Sequence, residues 1–138
     1  MSATADVEML VLPHSGWVVQ WCDGHWRDLP PERYTDEPAG VAAPDTDWVR
    51  WTGQVRANGR GDRWSEPSWW LVIGELDPDA PPAVVLADGT EPELRYVGRV
   101  WVCEWVSAPQ DATVTAGEDR YLLPFSRRPL YLPESLEP

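Results

Sequence analysis

Residues 93–106, ELRYVGRVWVCEWV, are the longest stretch of this chain with the composition of a β-strand. β-Branched and aromatic residues dominate it, and such residues favour extended backbone. Apolar side chains occupy both alternating sets of positions, so protein should cover both faces of the strand. Gly98 lies near the middle and is interpreted as a bulge at which the strand bends. A strand of this kind is typical of a small closed barrel or a two-sheet sandwich.

The remainder of the chain also predicts strands. Fifteen prolines and ten glycines interrupt it, and no window between them keeps the spacing of an amphipathic helix. A single helical turn is predicted at 30–35, where Pro-Pro-Glu resembles a helix start. The predicted fold class is all-β and mainly antiparallel, built from hairpins with little helix. Its strands are predicted near 7–12, 16–22, 25–29, 47–57, 60–65, 68–76, 83–87, 93–106, 111–115, 120–125 and 128–132.

Three Asx-Gly dipeptides predict where strands are joined: Asp23-Gly24, Asn58-Gly59 and Asp88-Gly89. Asn and Asp followed by Gly accept positive φ at both central positions of a type I′ turn. The twist of this turn matches that of the strands on either side, so the dipeptide is a strong signal for a β-hairpin. We therefore predict three hairpins, with turns at 23–24, 58–59 and 88–89.

The stretch WCDGHW, residues 21–26, predicts the first hairpin in detail. With Asp-Gly at the centre of the turn, Cys22 faces His25 in the pair that closes it, and Trp21 faces Trp26 in the next pair. Side chains approach closely in that second pair, which suits packing of two indoles. The pattern resembles the Trp-pair hairpins of designed tryptophan-zipper peptides. The resemblance covers six residues and implies local structure only.

The same hairpin raises the question of a metal or catalytic site. His14, Cys22, His25 and Cys103 are all the histidines and cysteines of the chain, and two of each would suffice for tetrahedral zinc. A zinc ribbon usually brings Cys-x2-Cys knuckles, however, and the Asp-Gly turn explains Cys-x2-His without a metal. A Cys-His dyad is a further alternative, but no Gly-rich oxyanion loop or helix N-terminus adjoins it. We predict no metal, no cofactor, and free, buried thiols at Cys22 and Cys103, with a disulfide as the alternative.

Length and hydrophobic content predict a single domain. The chain has 138 residues, of which 43% are hydrophobic, enough for one sizeable core. We predict one β-rich domain over 1–138, with an acidic, Pro-rich loop at about 30–47. The chain does not open on a basic segment followed by an apolar run, and its longest strongly apolar run, Trp69 to Ile73, is too short to cross a bilayer. These features favour a soluble, cytoplasmic protein without membrane contact.

The charge balance is strongly acidic. Asp and Glu number 23 against 11 basic residues, all of them Arg, for a net charge of −12. Such a chain repels phosphate backbones, so no nucleic-acid partner is expected. The negative charge either keeps the domain soluble or speeds its encounter with a basic partner.

The acidic residues are concentrated near the start of the chain. The first 47 residues hold nine acidic residues against two arginines, a net charge of −7. We hypothesise a non-enzymatic protein-binding domain, such as an immunity, antitoxin-like or anti-defence inhibitor that covers a basic protein. An aromatic side chain among carboxylates suits such a contact. The predicted partner-binding residues are Tyr34, Asp36, Glu37, Asp45 and Asp47.

The stretch VRWTGQVRANGRGDRW, residues 49–64, supports an alternative function. Arginines interleaved with aromatics can hold a phosphate or carboxylate. The alternative is therefore a β barrel that binds a small ligand or carbohydrate. On an acidic protein these arginines could instead pair with nearby carboxylates. The residues concerned are Arg50, Trp51, Arg56, Arg60, Arg63 and Trp64.

No motif for catalysis is found in the sequence. The paired carboxylates, such as Asp77-Pro78-Asp79 and Glu91-Pro92-Glu93, lie in turns and lack the facing arrangement of a glycosidase or the spacing of a calcium loop. Phosphate-binding loops and the nucleophile elbow are also absent from the sequence. We predict that the protein is not an enzyme.

Overall fold

The computed structural model describes residues 7–31, 48–54, 57–61 and 68–126. Every regular element that lies wholly within these ranges is a β-strand, which confirms the all-β prediction. All strand pairings are antiparallel. The strands are β1 (Glu8–Val11), β2 (Val18–Cys22), β3 (His25–Leu29), β4 (Val49–Arg50), β5 (Asn58–Gly61), β6 (Ser68–Glu75), β7 (Pro82–Leu86), β8 (Arg95–Val97), β9 (Val100–Ser107), β10 (Ala112–Ala116) and β11 (Asp119–Leu123).

The described strands form three open sheets. The N-terminal sheet has the order β1-β2-β3-β4, the central sheet β5-β6-β9-β8, and the C-terminal sheet β11-β10-β7. The two outer sheets pack on opposite faces of the central sheet, because neighbouring residues of its strands belong to two different cores. The fold is thus a sandwich of three layers. The closed barrel that the sequence also allowed is not formed by these strands.

Strands β6 and β9 are the centre of the molecule and pair along their whole length. On one face of β9, Trp101, Cys103 and Trp105 pack towards the C-terminal sheet. On its other face, Val100 and Val102 pack towards the N-terminal sheet. Burial on both faces requires apolar residues at successive positions. The prediction from residues 93–106 that both faces are covered is therefore confirmed.

The prediction of one continuous strand over 93–106 was wrong. Gly98 has a φ of 55° and forms a two-residue turn with Arg99, between β8 and β9. Positive φ at the first central residue, with an ordinary residue second, is the pattern of a type II′ hairpin turn. The glycine thus reverses the chain instead of forming a bulge. The loop from Gly117 to Glu118 joins β10 and β11 in the same way.

The three Asx-Gly predictions had different outcomes. Asp23 and Gly24 have φ values of 49° and 78° and join β2 to β3, as predicted. Asn58-Gly59 was predicted wrongly, since both residues lie in β5 and pair with β6. A side chain at Gly59 would come within 2.5 Å of the Phe125 ring, so this glycine is required by close packing. Asp88-Gly89 does form a turn, but it is not a hairpin, because β7 and β8 belong to different sheets.

Other predicted elements differ from those in the structure or lie outside the described residues. Of the strand predicted at 47–57, residues 48–54 and 57 are described, and among them only the two residues of β4 are strand. The predicted strand at 128–132 lies outside the described residues. So do all but the first two residues of both the predicted helical turn at 30–35 and the acidic loop at 30–47.

Neither cysteine is in a disulfide bond, as predicted, but only one of the two is fully buried. Cys103 lies in the centre of β9 with no exposed surface, and this burial raises the pKa of its thiol to about 12. Cys22 is half-buried near the end of β2. Because the thiolate is the reactive form, the two residues should differ in reactivity.

We expect iodoacetamide to alkylate Cys22 in the native protein while Cys103 stays protected, as measured by mass spectrometry after timed quenching. In denaturant both should react. The raised pKa of Cys103 also makes stability depend on pH. Between about 9, the ordinary pKa of a thiol, and about 12, unfolded Cys103 is deprotonated while folded Cys103 keeps its proton. The free energy of unfolding should therefore fall as the pH rises through this range. A Cys22→Ser variant serves as the control and should stay unlabelled until it unfolds. Labelling of native Cys103 as fast as Cys22 would contradict the prediction.

Candidate ligand-binding cleft

A cleft of about 360 Å³ lies where the β2–β3 hairpin meets the β8–β9 turn. The hairpin and β4 supply one side of it, and the turn supplies the other. Its described side chains are two indoles, two guanidinium groups, one imidazole and one carboxylate. They belong to Trp21, Asp23, His25, Arg50, Trp51 and Arg99.

Strand register places the side chains of the hairpin. Cys22 pairs with His25, as predicted, and His25 pairs with Arg50 of β4. Side chains in such a row point to the same face of a sheet, so the side chains of His25 and Arg50 share one face. Nδ1 of His25 is 3.0 Å from the carbonyl oxygen of Asp23.

The predicted pairing of Trp21 with Trp26 is observed in the strand register, and each of the two indoles also contacts a further part of the fold. The indole nitrogen of Trp26 donates a hydrogen bond to Oε2 of Glu75, at 2.7 Å. The ring of Trp21 lies against Gly98, where an added Cβ would meet it at 2.1 Å. Trp21 therefore connects the first hairpin to the β8–β9 turn and forms a wall of the cleft.

Trp51 is fixed by both sides of the cleft. Its backbone N–H donates to the carbonyl of Gly24 at 2.9 Å, and its indole N–H donates to the carbonyl of Arg99 at 3.1 Å. The guanidinium carbon of Arg99 lies 5.3 Å from the centroid of the Trp51 ring, within the range of a cation–π contact. The contacts between Trp51 and Arg99 therefore join the two sides of the cleft and orient the Arg99 guanidinium.

Glu75, at the end of β6, supports the segment that follows Trp51. Only 2% of its surface is exposed. Its Oε1 atom accepts hydrogen bonds from the backbone N–H groups of Thr52 and Gly53, at 3.2 and 2.8 Å, and Oε2 accepts the indole N–H of Trp26. A buried carboxylate is tolerated where donors surround it in this way. Glu75 thus joins the cleft segment to the core.

The cleft carries positive charge on an acidic chain. Arg50 and Arg99 are exposed, and neither guanidinium has an ion pair or hydrogen bond with any residue in the described ranges. Arg60 differs, because its Nη2 lies 3.2 Å from Oδ2 of Asp28. That carboxylate also accepts the indole N–H of Trp17, at 2.8 Å. Arg60 is therefore bound within the fold and is not part of the cleft.

The structure brings together some of the predicted site residues. Of the alternative ligand-binding set, Arg50 and Trp51 line the cleft, whereas Arg60 forms the internal pair that we gave as its other interpretation. The remaining members, Arg56, Arg63 and Trp64, lie outside the described residues. The whole predicted partner surface also lies outside them, namely Tyr34, Asp36, Glu37, Asp45 and Asp47.

The metal and cofactor predictions stay predictions. Within the described ranges, no group of three or more His, Cys, Asp or Glu side chains is arranged to hold a metal ion. His14 lies in the turn after β1, where its backbone N–H donates to Oε1 of Glu104 at 2.9 Å. Elemental analysis of the purified protein remains the direct measurement.

Two residues important for the cleft were missed from the sequence, Arg99 and Glu75. Arg99 follows a glycine between two apolar runs, and a Gly-x hairpin turn could have been predicted there. Glu75 is the charged end of the apolar run WWLVIGE. Its burial depends on donors about 22 and 49 residues away in the chain, which no local pattern reveals.

No protein-family model matches this chain, and no curated protein or solved structure shows significant similarity to it. Among the residues that the structure describes, no helix is long and apolar enough to cross a membrane.

Proposed function

We propose that this protein is a non-enzymatic binding domain that takes a small ligand into the cleft between the β2–β3 hairpin and the β8–β9 turn. The observation that carries the proposal is Arg99, which lies over Trp51, lines the same cleft as Arg50 and has no acidic partner among the described residues. Guanidinium groups held next to aromatic rings are a common way to bind an acidic or aromatic group.

Size and lining support the proposal. Small-molecule sites usually have volumes of roughly 300–1,000 Å³ and combine aromatic walls with a few charged groups. The cleft, at about 360 Å³, has two indole walls and two guanidinium groups.

The proposal is tested by a thermal-shift screen of small charged and aromatic compounds. A ligand at 100 times its Kd adds about 2.7 kcal/mol of stability, or a rise in Tm of about 5–10 °C for a domain of this size. The rise should be absent in an Arg50→Ala/Arg99→Ala double variant. It should persist in Arg120→Ala, a matched variant of an exposed arginine on β11. The proposal fails if no compound raises Tm, or if the double variant responds as the wild type does.

Binding of a basic protein stays a second proposal. Its support is the charge distribution, since the first 47 residues carry a net −7. A partner held there should associate more slowly as salt rises. Its binding should be insensitive to Arg50→Ala/Arg99→Ala, which separates the two proposals.

A further inference from the structure

We infer that the ligand of the cleft is a small ring compound that carries one carboxylate or phosphate group, and that Arg99 and Arg50 bind this oxyanion. The inference rests on the proposed function and names its ligand class. It follows from the placement of the guanidinium groups, the size of the cleft and the net charge of the chain.

Arg99 is positioned before a ligand arrives. Its backbone carbonyl accepts hydrogen bonds from the indole of Trp51 and from the backbone N–H of Leu76, at 3.1 and 2.8 Å. Its guanidinium lies over Trp51. The turn and the side chain are therefore both held, so an incoming anion has less conformational entropy to overcome. The donors of a guanidinium form a fork that matches both oxygens of a carboxylate or phosphate.

Arg50 makes the local charge positive. Among the described residues, the cleft lining has two guanidinium groups and one carboxylate, that of Asp23, and His25 pairs with Arg50 in the strand register. The attraction of Arg50 and Arg99 for an anion acts over short distances. At physiological salt the Debye length is about 8 Å, so more distant surface carboxylates are largely screened.

The negative net charge of the chain disfavours the binding of long polyanions. A nucleic acid or a sulfated polysaccharide extends well beyond a cleft of about 360 Å³ and would meet the remaining surface of a chain with net charge −12. Like-charge contacts of that kind are repulsive. A compact anion avoids them, and the indoles of Trp21 and Trp51 offer apolar surface for a body of about one or two rings.

Matched probe pairs test the inference by isothermal titration calorimetry at low salt. The pairs are benzoate with benzamide and glucuronate with glucose. Glucose 6-phosphate and inorganic phosphate complete the set and distinguish the two kinds of oxyanion. We expect at least one charged probe to bind roughly tenfold or more tightly than its neutral counterpart.

Variants assign the effect to Arg99. Arg99→Gln should weaken binding of the charged probe about tenfold or more, and Arg99→Lys should recover part of the loss, because an ammonium keeps the charge without the fork. Arg120→Gln should bind as the wild type does. Circular dichroism and Tm confirm that each variant is folded, since Arg99 contributes through its side chain only to the exposed cleft.

The outcomes separate the inference from the function on which it rests. Equal affinity for the acid and neutral members of each pair, or unchanged affinity in Arg99→Gln, overturns the oxyanion inference and leaves the proposed cleft function in place. If every probe fails and the thermal-shift screen finds only neutral ligands, the inference is also overturned. If no compound binds in either experiment, both are wrong.

Discussion

Replacement of Glu75 by Ala should lower the free energy of unfolding by roughly 3–5 kcal/mol, the largest effect we expect from a single substitution. The side chain is buried and accepts hydrogen bonds from Trp26, Thr52 and Gly53. Without it, these donors would lose their partner, and each buried donor left unpaired costs about 1–3 kcal/mol. Urea unfolding followed by tryptophan fluorescence measures the loss.

Two further variants serve as comparisons for Glu75→Ala. Glu75→Gln keeps the size of the side chain and one acceptor oxygen, but its NH₂ group opposes a donor, so the loss should be intermediate. Glu93→Ala removes an exposed carboxylate and should change stability by less than about 0.5 kcal/mol. A loss below about 1 kcal/mol in Glu75→Ala would show that water or neighbouring groups replace the carboxylate, contrary to our account.

The position of Glu75 links stability to the cleft. The carboxylate fixes the backbone directly after Trp51, and Trp51 in turn orients Arg99. Ligand sites depend on side chains that are held by a second layer of contacts. A residue that never touches a ligand thus determines where two of the cleft side chains lie.

The predictions that succeeded depended on local chemistry. The turn at Asp23-Gly24 requires only two residues that accept positive φ, and it fixes the register of Cys22 with His25. The burial of both faces of β9 could also be predicted from the sequence, because it requires apolar residues at successive positions. These features do not depend on which distant segment packs against them.

The predictions that failed depended on distant contacts. Asn58-Gly59 has the sequence of a turn, yet Gly59 is held in β5 next to Phe125, some 66 positions further along the chain. Gly98 was read as a bulge, although a Gly-x dipeptide between two apolar runs also fits a hairpin turn, and only the pairing of β8 with β9 decides between the two. In the cleft, Arg50 and Trp51 were proposed from composition, but their neighbour Arg99 comes from another sheet.

Gly98 itself provides the second large effect. A Cβ at this position would lie 2.1 Å from Cγ of Trp21 and 2.2 Å from Cδ2, and φ is 55°, in the left-handed region. Gly98→Ala therefore combines backbone strain with displacement of an indole. We expect a loss of about 3 kcal/mol in urea unfolding, with a red shift of tryptophan emission as Trp21 becomes more exposed.

Gly117→Ala is the matched control, because this glycine has a φ of 62° at the same position of a hairpin turn. Its nearest neighbour would be Cβ of Ala80, at 3.1 Å, so backbone strain should dominate, at about 1–2 kcal/mol. The excess in Gly98→Ala then measures the collision with Trp21. In a Trp21→Ala/Gly98→Ala double variant the collision is absent, and the loss should be smaller than the sum of the two single losses. Equal costs for Gly98→Ala and Gly117→Ala, or strict additivity in the double variant, would mean that Trp21 does not rest on this turn and that the cleft lacks the wall that we assign to it.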